Sequence, residues 1–204
     1  MSHLHVPDKS GRFHEVYRQE KTQSCGLACA AMLINRMTGV TLDEKTLRRE
    51  SRDIDKSYSK HKGTSLAEII PLLERRGIIA KGSDGLTWEM ARQFARNRTP
   101  VICQVAWTET QTHMVLIDGQ TSAGEVIICD PDAGLGGAHG TPADNLLYLA
   151  NEESYKFYRT RDDHPGGMFI GSYVRAYALK LAVAPNRKGF GYEMPGGIVS
   201  RKDF

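Results

Sequence analysis

No stretch of this chain is apolar for the roughly 18–20 residues that a bilayer-spanning helix needs, and residues 1–10 lack the apolar centre of a secretory signal. The expectation is a cytoplasmic protein with no membrane partner. Charge of neither sign dominates: 27 Lys and Arg against 24 Asp and Glu leave +3, a balance that does not call for nucleic acid. Cysteine is scarce, and no two of the four (Cys25, Cys29, Cys103, Cys129) form a Cys-x2-Cys pair. They fall in apolar or helical settings, which argues against both a disulfide framework and a zinc site and suits a reducing compartment. Three histidines (His3, His5, His14) lie in the first 18 residues, but their irregular spacing is not that of a ligand set. The glycine-rich run Gly134 to Gly140 lacks the third glycine of a nucleotide fingerprint and reads as a flexible rim. No internal repeat or low-complexity segment is present, and no metal or cofactor is expected. At 204 residues the chain is one domain or two lobes sharing a cleft, long enough to bury about 70% of its unfolded surface.

What is present is concentrated in Gln19-Glu-Lys-Thr-Gln-Ser-Cys25-Gly-Leu-Ala-Cys29-Ala-Ala-Met-Leu-Ile34. Ser24 is a favourable N-cap, and the apolar residues from Leu27 to Ile34 are spaced for a mostly buried helix. Cys25 then falls in the first turn, where unpaired N–H groups and the helix dipole favour negative charge. A thiol so placed ionises more readily than a free one, and the thiolate is the reactive form. Gly26 removes a side chain next to the sulfur, which would let a substrate backbone approach. Gln19, six residues upstream, carries an amide able to donate to a developing oxyanion. Cys29, one turn on, is a resolving thiol, a rival nucleophile or a packing residue. The last is favoured because its N–H is already bonded within the helix.

The rest of the first half reads as helical. The Cys25 helix ends near Thr38-Gly39, and a second opens at Thr41 with Glu44 completing a capping box. A third starts at Thr64-Ser65 and stops at Gly77, a short strand covers Ile78 to Ala80, and a fourth helix runs from Leu86 to Arg96. The second half changes period. Pro100 to Trp107 is a nearly continuous apolar run, as in a central strand, and His113 to Asp118 and Glu125 to Asp130 flank a hairpin loop at 119–124. Trp107 and the residues up to Thr112 are expected along the wall of the cleft. Helix is expected over 142–158, a further strand over Gly171 to Leu181, and a loose glycine- and proline-rich tail beyond.

Pairing symmetric about 119–124 sets Asp118 opposite Glu125 and His113 opposite Asp130. Opposed residues share a face with Cβ atoms roughly 5 Å apart, within reach of an imidazole–carboxylate hydrogen bond. Asp118 and Asp132 are the alternative partners for His113, and His139 and His164 are weaker bases. A thiol at a helix N-terminus and a histidine held by an acid make a cysteine-nucleophile triad.

The ordered set Gln19-(x5)-Cys25-Gly-Leu-Ala, Pro100-Val-Ile, His113-Met-Val-Leu-Ile-Asp-Gly119 and Asp130-Pro131-Asp-Ala-Gly134 resembles the papain-like cysteine peptidases. Within them it is most similar to the double-glycine leader (bacteriocin-processing) peptidases and their stand-alone relatives, over about residues 15–135. The resemblance implies an α+β fold, a helical lobe packed on an antiparallel sheet with the cleft between them. It also implies Cys25 as nucleophile, His113 as general base, Asp130 as orienting acid and Gln19 as oxyanion donor. The expected layout is a single domain over 1–204: an arm (1–18), a helical lobe (19–98), a sheet lobe (99–183) and a tail (184–204). Leader peptidases commonly precede a transporter in one chain, and phytochelatin synthase, a transpeptidase, has a similar Cys-Gly-Leu-Ala stretch. The expected activity is therefore hydrolysis of a peptide or isopeptide amide. Deamidation or acyl transfer by the same triad is the first alternative, and a non-catalytic binding module the second. The expected partner is a protein or peptide substrate, a host protein if the chain is exported, for which the N-terminus carries no readable address.

Overall fold

The computed structural model describes residues 2–7, 11–55, 59, 62–106, 112–132, 147–150 and 169–179. A hairpin of β1 (Ser2–Pro7) and β2 (Phe13–Arg18) leads into α1 (Cys25–Thr38), α2 (Glu44–Asp55) and α3 (Leu66–Glu74). Then follow β3 (Ile78–Asp84), α4 (Trp88–Arg96), β4 (Val101–Ala106), β5 (Thr112–Gln120), β6 (Val126–Cys129), β7 (Leu147–Ala150) and β8 (Phe169–Leu179). The last six strands form one antiparallel sheet in the order β3-β8-β4-β5-β6-β7. The fold is the expected α+β arrangement of helices on an antiparallel sheet.

Alternation along β4 explains the layering. Ile102 points into a core with Leu27, Met32, Leu33, Ile69 and Leu72 from α1 and α3. Val101, Cys103 and Val105 point the other way, against Ala91, Phe94 and Ala95 of α4. The sheet is thus covered on both faces, which is why Val101 to Val105 reads as almost uniformly apolar. It also separates α4 from the three helices with which the sequence grouped it. Central placement of β4, between β8 and β5, follows.

The helix ends are set by local chemistry. Ser65 and Glu68 form a full capping box at the start of α3, and Thr87 caps α4 by accepting from the Met90 N–H. Gly39, at φ 72°, stops α1 in the left-handed conformation that suits glycine. The cap of α2 differs from expectation: Asp43 Oδ1, not Thr41, accepts from Thr46 N at 2.6 Å. Glu44 is drawn elsewhere, as described below. The arm, too, is more structured than its polarity suggested. β1 and β2 pair along their whole length, and Val16 and Tyr17 are fully buried.

Two further differences concern the second half. Residues 147–150, expected to be helical, are strand β7; the remainder of 142–158 lies outside the described residues. So do Trp107, the Gly134–Gly140 run, His139, His164 and the tail from 184. The hairpin register is also shifted. Leu116 faces Cys129 and Ile117 faces Ile128, then a bulge at Asp118 moves the pairing to Gly119 with Ile127. Continuing the outer register one step sets Asp130 against Val115 rather than His113. The slip is two residues, so His113 and Asp130 stay on one face as diagonal neighbours.

Candidate active site

Cys25 is the first residue of α1 and is half-buried, whereas Cys29, Cys103 and Cys129 are fully buried. Ser24 occupies the N-cap position but does not cap the helix with its side chain. Its hydroxyl turns back, donating to Lys21 O at 2.7 Å and accepting from Lys21 N at 3.1 Å. The first intrahelical bond runs from Ala28 N to Ser24 O, so the N–H groups at the start of α1 are not claimed by the ladder or by Ser24.

His113 stands at the start of β5, 5% exposed, with Nε2 2.7 Å from Asp130 Oδ1. The same carboxylate oxygen accepts from Asp132 N at 2.8 Å, which anchors it. The imidazole also interacts with the Cys25 thiol. Burial alone would push the His113 pKa down, but the charge and hydrogen bond of Asp130, and then Cys25, hold it well above the ordinary histidine value. Asp118 is not the partner of His113: it is occupied by His14 Nδ1 at 2.7 Å and Arg36 Nε at 2.6 Å. Asp132 is half-buried with its own pKa raised by burial, and its Oδ1 has no partner among the described residues.

Gln19 leaves β2 beside this cluster. Its N–H donates to Pro131 O at 2.9 Å, tying it to the turn that follows Asp130. Its side chain is buried, with Nε2 donating one N–H to Thr22 O at 3.2 Å. An amide nitrogen carries two protons, so one remains for another acceptor. Gln19, Cys25, His113 and Asp130 are thus drawn together from β2, α1, β5 and the end of β6.

Gly26 has a different role from the one expected. A Cβ there would lie 2.9 Å from Met114 Sδ, 3.2 Å from Ile69 Cδ1 and 3.3 Å from Thr64 O. The missing side chain makes room for the protein's own packing of α1 against β5 and α3, not for a substrate. Cys29 is a packing residue, its thiol donating to Met114 O at 3.3 Å, and burial holds its pKa well above the ordinary thiol value.

Glu44, expected to complete a capping box with Thr41, has a supporting role instead. Glu44 is fully buried, accepts from Glu20 N at 2.6 Å and is paired with Arg48. It ties the loop that connects Gln19 to Cys25 onto α2. The signal was present: Glu44 falls on the stripe Glu44-Leu47-Ser51-Ile54 that faces the core. An acid on a buried stripe implies a specific partner.

A cavity of about 370 Å³ opens beside the thiol, lined among others by Gln23, Cys25, Lys62, Thr64, Gln104 and Met114. Among the described residues no three His, Cys, Asp or Glu side chains are grouped to hold a metal, and no helix is long and apolar enough to cross a membrane.

A helical layer on an antiparallel sheet, with a cysteine at a helix N-terminus beside a histidine–aspartate pair, is the architecture of a papain-like cysteine peptidase. The model of the peptidase C39 family matches residues 14–139, more than half of the chain, and the chain belongs to that family. Solved structures agree on the fold. The peptidase domain of Streptococcus ComA, a bi-functional ABC transporter involved in a quorum-sensing pathway, superposes with a TM-score of 0.55 at 16% identity, over 80% of this chain and 97% of that one. A C39-like peptidase from Bacillus anthracis gives 0.52 at 16% identity, over 81% and 95%. No curated protein matches the sequence. The matched region ends before β8, yet β8 lies between β3 and β4 in the sheet.

Proposed function

We propose that this C39-family cysteine peptidase hydrolyses a peptide or isopeptide amide through Cys25, His113 and Asp130, with a thioester intermediate. The observation that carries the reading is the buried 2.7 Å contact of His113 Nε2 with Asp130 Oδ1, on an imidazole that also interacts with the Cys25 thiol. The Cys25 sulfur attacks the scissile carbonyl as thiolate, its proton resting on His113. Negative charge gathers on the carbonyl oxygen, where the Cys25 N–H and the second Gln19 Nε2–H donate to it. His113 then passes its proton to the leaving amine, the C–N bond breaks and a Cys25 thioester is left. Water attacks the thioester while His113 takes its proton, releasing the acid and the thiol. Asp130 keeps the imidazole in the tautomer and orientation that both steps need. No step calls for a metal or cofactor. Proteomics of lysate incubated with wild type and with Cys25→Ala tests the proposal. New peptide termini that depend on Cys25 are expected. Release of ammonia, or acyl adducts without new termini, would instead mark a deamidase or transferase.

A further inference from the structure

We infer that Thr64 is a substrate-binding residue, its hydroxyl hydrogen-bonding the main chain of a peptide lying across Cys25. The inference rests on the peptidase reading above and adds a residue to it. Thr64 is 7% exposed, and its Oγ1 is buried with no hydrogen-bond partner among the described residues. A buried hydroxyl without a partner is a net cost, and each such group in a folded protein calls for a reason. The residue lines the same cavity as Cys25.

Its position there is tightly determined. Thr64 O packs 3.3 Å from where a Cβ of Gly26 would stand, so the segment rests directly on the first turn of α1. On the other side, Gly63 adopts φ +71°, and a Cβ on it would meet Gln23 O at 2.6 Å. Two glycines thus let the 63–64 backbone close onto the elements that carry the thiol. The hydroxyl itself is covered in the empty cavity, so binding takes a χ1 step of the side chain to another staggered well. A peptide N–H or C=O in the cavity then supplies the partner that the covered position lacks.

Two alkylating probes with one reactive group separate this role from a structural one. Acetyl-Ala-Gly-Gly chloromethyl ketone carries a peptide, and chloroacetone does not; the ratio of their rates of Cys25 alkylation reads the peptide's contribution. In the wild type the peptide probe is expected to react faster. Thr64→Val keeps the shape and removes the oxygen. It should lower the ratio roughly 3- to 10-fold, leave the chloroacetone rate unchanged and leave Tm equal or higher. Thr64→Ser, which restores the hydroxyl, should recover most of the ratio, and it carries the test if the valine variant fails to fold. An unchanged ratio in Thr64→Val, or a ratio lost in Thr64→Ser with the fold intact, overturns the inference and leaves the peptidase reading standing. No advantage of the peptide probe in the wild type overturns the peptide reading and the inference together.

Discussion

Two histidine–aspartate pairs sit at opposite ends of β5, and they keep different company. At one end His113 Nε2 lies 2.7 Å from Asp130; at the other, His14 Nδ1 lies 2.7 Å from Asp118, a β5 residue. Distance and burial do not tell them apart, since the side chains are 5% and 1% exposed in the first pair and 1% and 5% in the second. What differs is the third member. Asp118 also takes Arg36, whose guanidinium donates from Nε and Nη2 and fixes Glu15 O as well, so its charge is spent on an ion pair. Among the described residues Asp130 pairs with His113 and with no Arg or Lys, and its histidine interacts with the Cys25 thiol. A buried histidine–acid pair is therefore no sign of catalysis unless a nucleophile stands on its open side.

The two pairs are linked by geometry. Cys25 and Arg36 are eleven residues apart on α1, a rise of about 16 Å. His113 and Asp118 are five residues apart on β5, which covers about the same distance. Helix and strand are thus matched in length, and the Arg36–Asp118–His14 cluster ties together the far ends of the two elements that carry Cys25 and His113.

The largest effect that separates the ends is expected from Cys25→Ala, which should abolish turnover of any substrate the wild type cleaves, with Tm unchanged. Asp130→Asn should come next. The fold should persist by circular dichroism while kcat falls roughly 10- to 10³-fold, less than in a serine triad because the imidazole starts protonated. Wild-type kcat in this variant would leave Asp132 as the partner of His113. Asp118→Asn should do the reverse, costing about 3 kcal/mol of stability by leaving Arg36 with half an ion pair in a nearly buried site. Its kcat below the melting transition should stay within about twofold. A loss of activity equal to that of Asp130→Asn would erase the distinction.

A finer comparison comes from pH. The His113 pKa is raised above the ordinary value of 6.5, so its stabilising contribution is complete below about pH 6.5 and is lost as pH rises through the folded-state value. The basic limb of kcat/KM should follow the same loss of the imidazolium and move down in Asp130→Asn. The pKa of Asp118 is lowered: burial raises it, but His14 and Arg36 outweigh burial. Its contribution is present above the unfolded value and disappears only as pH falls through the folded one, so Asp118→Asn should leave the basic limb in place. The smallest effect is expected from Glu44→Gln, which weakens the hold on the loop at Glu20 and should lower kcat a few-fold with little change in Tm.

Much of this was legible in the sequence because local patterns carried it. The apolar stripe after Cys25, the glycine at 39 and the continuous run at 101–105 each have one physical reading. Gln19, Cys25, His113 and Asp130 were legible as candidates through motif order. Less legible were properties set by partners distant in the chain. The β5–β6 register depended on the bulge at Asp118, whose carboxylate is drawn to His14 and Arg36; only the two-residue size of the slip preserved the His113–Asp130 contact. The role of Gly26 depended on Met114 and Ile69, which no local window contains. Thr41 lost the α2 cap to Asp43 because Glu44 is engaged with Glu20 N and Arg48.

The central claim is that Cys25 reacts because His113 stands beside it. Brief iodoacetamide labelling at pH 6, with peptide mapping, tests this in the wild type and in His113→Ala. The account predicts modification of Cys25 ahead of Cys29, Cys103 and Cys129, whose pKa values burial raises. It also predicts that loss of the imidazole slows labelling at least tenfold, as expected when a thiolate loses its imidazolium partner. First modification at Cys29, or equal Cys25 rates in the two proteins, would contradict it.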